Sequence, residues 1–186
     1  QDHYQLHINH AFSKELNFSS ALHYTYGRGY YEQYRYDDDL ANYQLNSVNV
    51  GGDTITSSDL IRRRWLDNDF YGGTFAFNYD SKMLSTTLGG AYNYYDGDHF
   101  GEIIWARYAS DSEIRDHYYD NYGRKSDFNI YIKTNYQATN QINLFVDLQL
   151  RIIDYHTKGI DSDLRIIDDG DKYTFFNPKL GLTYSL

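Results

Sequence analysis

The stretch NLFVDLQLRI at positions 143–152 constrains the fold more than any other. Leu144, Val146, Leu148, Leu150 and Ile152 share one side of an extended chain, and Asn143, Asp147, Gln149 and Arg151 share the other; Phe145 alone breaks the pattern. Successive side chains of a strand point to opposite faces, so this is a strand with one dry and one wet face. The pattern recurs. Tyr4, Leu6, Ile8 and Phe12 alternate with polar neighbours, as do Leu16, Phe18, Leu22, Tyr24 and Tyr26. Further runs are Tyr71 to Tyr79, Leu84 to Tyr94, Phe128 to Tyr136 and Phe176 to Tyr184. About seven strands are expected, each at or above the roughly nine to eleven residues that cross a bilayer when tilted.

The connections alternate in length. Ser13, Lys14 and Glu15, then residues 80–83, then residues 138–141 read as tight hairpin turns. Between them, segments 27–59, 96–124 and 156–171, rich in Asp, Asn, Gly and Tyr, read as long loops. In an up-and-down meander this puts every short turn at one end and every long loop at the other, as in outer-membrane barrels.

Composition decides what the dry faces meet. Mean hydropathy is only -0.72, yet the 186 residues include 22 Tyr and 10 Phe, rings suited to a boundary between an apolar phase and water. Seven dry faces turned to water would expose more apolar surface than a soluble monomer tolerates. A soluble β-sandwich binding module, with its dry faces packed on each other, is the competing arrangement. Its turns have no reason to be so asymmetric, and its loops usually carry more proline than the one present. Lipid is therefore the expected partner. The other face is polar, as a wide lumen requires, and an odd number of strands leaves edges open. The fold expected is all-β, an antiparallel up-and-down meander forming an arc of a larger transmembrane β-barrel. A net charge of -9 argues against a nucleic-acid partner, no apolar run is long enough for a membrane helix, and the absence of Cys excludes disulfides and thiolate metal sites. No leader is recognisable at the start, as expected of a processed chain or a fragment.

DNDFYGGTFAFNY at 67–79, the segment 88–136 from LGGAYNYYDGDHF to IYIKTNY, and FFNPKLGLTYSL at 175–186 resemble the barrel domain of TonB-dependent outer-membrane receptors, particularly those of Bacteroidetes-type bacteria. The resemblance spans most of residues 1–186. It implies a barrel of about 22 strands filled by an N-terminal plug, in the outer membrane of a Gram-negative bacterium. It also implies energised uptake of a scarce nutrient (siderophore, cobalamin or glycan class) through TonB, with no enzymatic role and no cofactor. The chain departs from the family in having no plug, no TonB-contacting segment, fewer strands and no terminal aromatic residue. Its expected partners are lipid, the remaining barrel and plug, TonB through the plug, and a small nutrient ligand. A passive porin-like channel is the alternative within the membrane.

Chemistry-bearing motifs are few. His3, His7 and His23 fall on one wet face and admit a metal cluster, but lack a carboxylate at matching spacing. Asp98-His99 and Asp116-His117 suggest acid–base pairs, but neighbouring strand residues point apart. The clusters Asp37-Asp38-Asp39, Asp161-Ser162-Asp163 and Asp168-Asp169-Gly170-Asp171 lack full calcium-loop spacing and read as turn formers. Gly27-Arg28-Gly29 precedes no helix and is no phosphate loop. The run Arg62-Arg63-Arg64-Trp65 stands out in an acidic chain. Arg62, Arg64 and Trp65, with Trp105 and Arg107 of EIIWARY, are the candidate substrate-binding residues. Guanidinium forks grip carboxylates and phosphates, on a ligand, a lipopolysaccharide or an acidic plug surface. Pairing with nearby aspartates is the simpler role for them. Pro178, within a strand, is expected to force a bulge or gap.

Overall fold

The structure, a computed structural model, describes residues 1–108 and 112–185. Its strands are β1 (Asp2–Ala11), β2 (Leu16–Asp39), β3 (Val48–Val50), β4 (Asp53–Ile55), β5 (Ser57–Asp80), β6 (Leu84–Ala106), β7 (His117–Gln137), β8 (Ile142–Ile160) and β9 (Ile166–Tyr184), with one 3-10 turn at Leu40–Tyr43. Seven strands form a single antiparallel sheet in the order β1-β2-β5-β6-β7-β8-β9, a meander with β1 and β9 as its edges. The hairpin β3-β4, closed by Gly51 and Gly52 at φ 63° and 101°, is an excursion between β2 and β5.

The hairpin turns share one device. The hydroxyl of Ser13 accepts from the N–H of Leu16, that of Ser81 from Leu84 and that of Thr139 from Ile142, at 3.0 to 3.2 Å. A short side chain thereby satisfies the backbone donor that a tight reversal leaves unpaired.

Register carries the dry residues of all seven strands onto one face. One cross-strand row reads Leu6, Leu22, Gly73, Tyr92, Phe128, Ile152, Thr174; the next reads Ile8, Ser20, Phe75, Gly90, Ile130, Leu150, Phe176; the next, His10, Phe18, Phe77, Leu88, Ile132, Leu148, Pro178. Leu144, Leu148, Leu150, Phe75, Phe77, Ile130 and Ile132 all lie on this face. None of them is buried, and Leu22 and Leu182 are 51% and 67% exposed. Strands touch their ladder neighbours rather than a second layer, so no sandwich forms among the described residues.

The band has edges. On the side away from the hairpin turns, the row Tyr4, Tyr24, Tyr71, Tyr94 borders it, and the next row turns polar through Asp69, Asp96, Arg124 and His156. The lower limit drifts along the register. In β2 the band ends at Leu16, level with Val146 and Leu180, whereas in β8 and β9 it continues through Leu144 and Leu182 to Ile142 and Tyr184. Such stagger is what strands tilted to a barrel axis require.

The expected loops are corrected. The strands β2 and β5–β9 run for 19 to 24 residues, and the connections at that end shrink to 40–56, 107–116 and 161–165. The last is barely longer than a hairpin turn, so the length alternation is weaker than expected. Residues 109–111 of the second connection, and residue 186, lie outside the described residues. Polar composition misled here because the extended strands replace apolar cross-strand pairs with charged ones. Arg28–Asp67 and Arg124–Asp96 both measure 3.1 Å, and Lys158–Asp168 measures 2.8 Å. Gly27, Arg28 and Gly29 are thus strand residues of β2.

Pro178 forces no bulge, since the β8–β9 register runs through it without a shift. The bonds Asp161 N–H to Arg165 O and Ser185 N–H to Gln141 O fix the phase of this ladder, in which odd-numbered pairs exchange hydrogen bonds. Pro178, opposite Leu148, turns its nitrogen to the free edge, where a missing N–H costs β8 nothing.

Candidate functional site

The buried hydrophobic cluster sits on the polar side of the sheet, at the end away from the hairpin turns. Tyr43, Leu60, Tyr118 and Tyr119 form it, 0–5% exposed, with Leu45, Ile103, Ala106, Ile160 and Leu164 packed around them. Asp39 caps the 3-10 turn by accepting from the Ala41 N–H, and Gln44 leaves it in a left-handed conformation. The 40–56 excursion thereby folds Tyr43 and Leu45 against the sheet. A β-bulge between β6 and β7 adds Tyr118 opposite Gly101 and Glu102, so that Tyr118 and Tyr119 meet edge to face at 5.0 Å. The Tyr118 hydroxyl is buried without a hydrogen-bond partner among the described residues.

A cavity of about 360 Å³ opens beside this cluster, lined by Arg35, Arg62, Arg64, Asp38 and Tyr43 and closed from the β8–β9 connection by Asp163 and Leu164. Arg62 donates from Nε and Nη2 to Gln33 Oε1 at 3.1 and 2.9 Å and from Nη1 to the Tyr43 hydroxyl at 3.3 Å. Arg64 donates from Nε to the Tyr119 hydroxyl at 3.3 Å and lies over the Tyr31 and Tyr119 rings. Both are half-buried, and neither has a carboxylate within ion-pair distance among the described residues. By contrast Arg28, Arg35, Arg63, Arg107, Arg124, Arg151 and Arg165 each pair with one.

The five predicted residues do not assemble. Alternation leaves Arg62 and Arg64 on the polar face and turns Trp65 to the apolar-band side, where its indole N–H donates to Glu102 at 2.9 Å and its ring meets Tyr30, Phe100 and Arg28. Trp105, paired with Ile61 beyond a bulge, is 45% exposed on that same side. Arg107 is bound to the buried Asp59 at 2.9 Å. Simple ion pairing thus describes Arg63 and Arg107 and fails for Arg62 and Arg64. Sequence reading missed Gln33, Tyr43 and Tyr119, the neutral groups that hold them. The Arg–x–Arg spacing was the available signal for a shared face; the partners come from distant strands and a loop.

The remaining motifs resolve locally. His3, His7 and His23 bond to Thr25, Gln5 and Asn93, all neutral, and no His, Asp and Glu group among the described residues could hold a metal ion. Asp98 and His99 point to opposite faces of β6, and Asp116 accepts from the Glu113 N–H while His117 meets Asp120. Asp38 pairs with Arg35 and accepts from Tyr43, Asp161 and Asp163 hold Arg165, and Asp168 holds His156 and Lys158. These aspartates shape turns and ladders. Compared with known proteins, the chain matches no family model, and no curated protein is significantly similar to it.

Proposed function

We propose that this chain is part of the wall of an outer-membrane β-barrel, an arc of a TonB-dependent receptor that takes up a scarce nutrient of the siderophore, cobalamin or glycan class in a Gram-negative bacterium. One observation carries the membrane part of the reading: an apolar band crosses all seven strands on one face, with tyrosines along one border and charge beyond them, and no layer among the described residues covers it. Hydrocarbon is the partner that makes such a face favourable, at roughly 25 cal/mol for each Å² removed from water. The receptor part rests on the resemblance of segments 67–79, 88–136 and 175–186. In this reading the polar face looks into the lumen toward a plug, the strands stand well above the bilayer, and the role is transport without catalysis or cofactor.

A tryptophan placed at Leu148, with the chain reconstituted in vesicles of brominated lipid, should be strongly quenched, and one placed at Gln149 should not. Equal quenching at both positions, or none at Leu148, removes the lipid wall. Uptake by cells expressing the full reading frame separates the receptor from a passive channel, because only a receptor stops working when TonB is deleted.

A further inference from the structure

We infer that Arg62 and Arg64 form an anion-binding subsite for a small molecule carrying two oxyanion groups, carboxylate or phosphate. This deepens the uptake reading, and rests on it only for the side from which the ligand arrives.

The argument starts from charge. The chain has 26 acidic residues against 17 Lys and Arg, and seven of its arginines have found carboxylates. Two half-buried guanidiniums on one face that are held by neutral groups are therefore not explained by a shortage of partners. Gln33 and Tyr43 fix Arg62, and Tyr119 and Tyr31 fix Arg64, without neutralising either. A guanidinium has five N–H donors. Three are used on Arg62 and one on Arg64 among the described residues. The remaining donors belong to forks already oriented, so a ligand bears little of the entropy of ordering them.

The surroundings favour an anion. The cavity walls contribute Arg35, Arg62 and Arg64 against Asp38 and Asp163. Asp38 is matched by Arg35 at 2.6 Å, and Asp163 by Arg165 at 3.0 Å. The uncompensated charge is that of Arg62 and Arg64. Residues two apart on a strand are separated by about 6.6 Å, which suits two oxyanion groups on one short molecule better than a single one. A volume of about 360 Å³ admits a small metabolite. Arg63, between them in sequence, points to the opposite face and pairs with Glu32 at 2.9 Å, which makes it a control built into the strand.

The test uses the chain refolded in detergent micelles, with the Nε–H signals of its arginines followed by NMR while succinate, inorganic phosphate or acetate is added. Saturable shifts of Arg62 and Arg64 are expected with succinate, at least tenfold tighter than with inorganic phosphate or acetate; phosphate binding as tightly as succinate would overturn the two-group assignment. Arg64→Gln should weaken binding at least tenfold, Arg64→Lys less, and Arg63→Gln not at all. Arg62→Gln should act like Arg64→Gln; if it fails to fold, Arg64→Gln carries the test, because Arg64 gives up a single hydrogen bond. Weak, unsaturated shifts spread over all arginines, or binding that survives Arg64→Gln, overturn the subsite. Binding without bromolipid quenching at position 148 would keep the subsite and discard the membrane wall, so the two failures are distinguishable.

Discussion

His23 of β2 and Asn93 of β6 meet at 2.9 Å across the intervening strand β5, directly over Gly72. Neighbouring strands lie about 4.8 Å apart, so residues two strands apart begin nearly 10 Å from each other. Their side chains meet because the middle position has none. Arg64 and Tyr119 repeat the arrangement over Gly101 of β6. A Cβ at Gly72 would collide with the Tyr92 carbonyl and stand 2.6 Å from Asn93 Oδ1. Gly72→Ala is therefore expected to cost about 1–3 kcal/mol through displaced backbone, measured by denaturant unfolding in micelles. Unchanged stability would mean that the crossing is not a feature of the folded sheet.

Neighbouring positions of β8, on opposite faces, should differ in their tolerance of charge. With the apolar band against lipid, as proposed, Leu148→Arg is expected to cost about 2–4 kcal/mol when the chain folds into vesicles, and Gln149→Arg far less, because only the first then buries an ion in hydrocarbon. The measurement is the folding free energy in vesicles, and similar costs at the two sites would contradict the assignment of faces.

Pro178 should be dispensable to the β8–β9 ladder. Pro178→Ala is expected to change stability by less than about 0.5 kcal/mol, whereas Asn177→Pro removes a donor directed at Gln149 and should cost about 1–3 kcal/mol. Hydrogen exchange of the amides around Gln149 reads the difference. Slower exchange in Pro178→Ala would show that the new N–H had joined the ladder and that its phase has been misassigned.

The 161–165 connection should survive mild acid. The Arg165 backbone N–H lowers the Asp161 pKa below its ordinary 3.8, helped by the Asp163 N–H and the Arg165 side chain and opposed by partial burial. A carboxyl whose folded pKa is depressed contributes stability above its unfolded value and loses it as pH falls through the lower folded value. The turn should thus remain ordered at pH 3.8 and loosen only below it. Carboxyl NMR titration of Asp161 gives the midpoint, and a value at or above 3.8 would rule out this role.

Removing the buried Tyr118 hydroxyl should do no harm. It has no partner among the described residues, and an unsatisfied buried hydroxyl is a liability of about 1–3 kcal/mol. Tyr118→Phe is expected to hold or raise stability, and a clear loss in thermal unfolding would reveal a bond that the hydroxyl makes.

Period-two alternation of Leu144, Leu148 and Leu150 against Gln149 and Arg151 was enough, by itself, to define strands and their dry face, because both follow from side-chain direction along an extended chain. The hairpin turns were equally legible, since Ser13, Ser81 and Thr139 act within a few residues of their own position. Strand ends above the band were not. Arg124 and Asp96 look like loop residues until register brings them to 3.1 Å, and only then does the polar stretch gain a reason to stay extended. The candidate site was half legible: the Arg–x–Arg spacing places Arg62 and Arg64 on one face, and the same rule removes Trp65 from it. That Gln33, Tyr43 and Tyr119 would hold those arginines, rather than the abundant aspartates, was decided by tertiary structure alone. Ladder register and a β-bulge select which distant side chain reaches a guanidinium, and neither is encoded in the residues next to it.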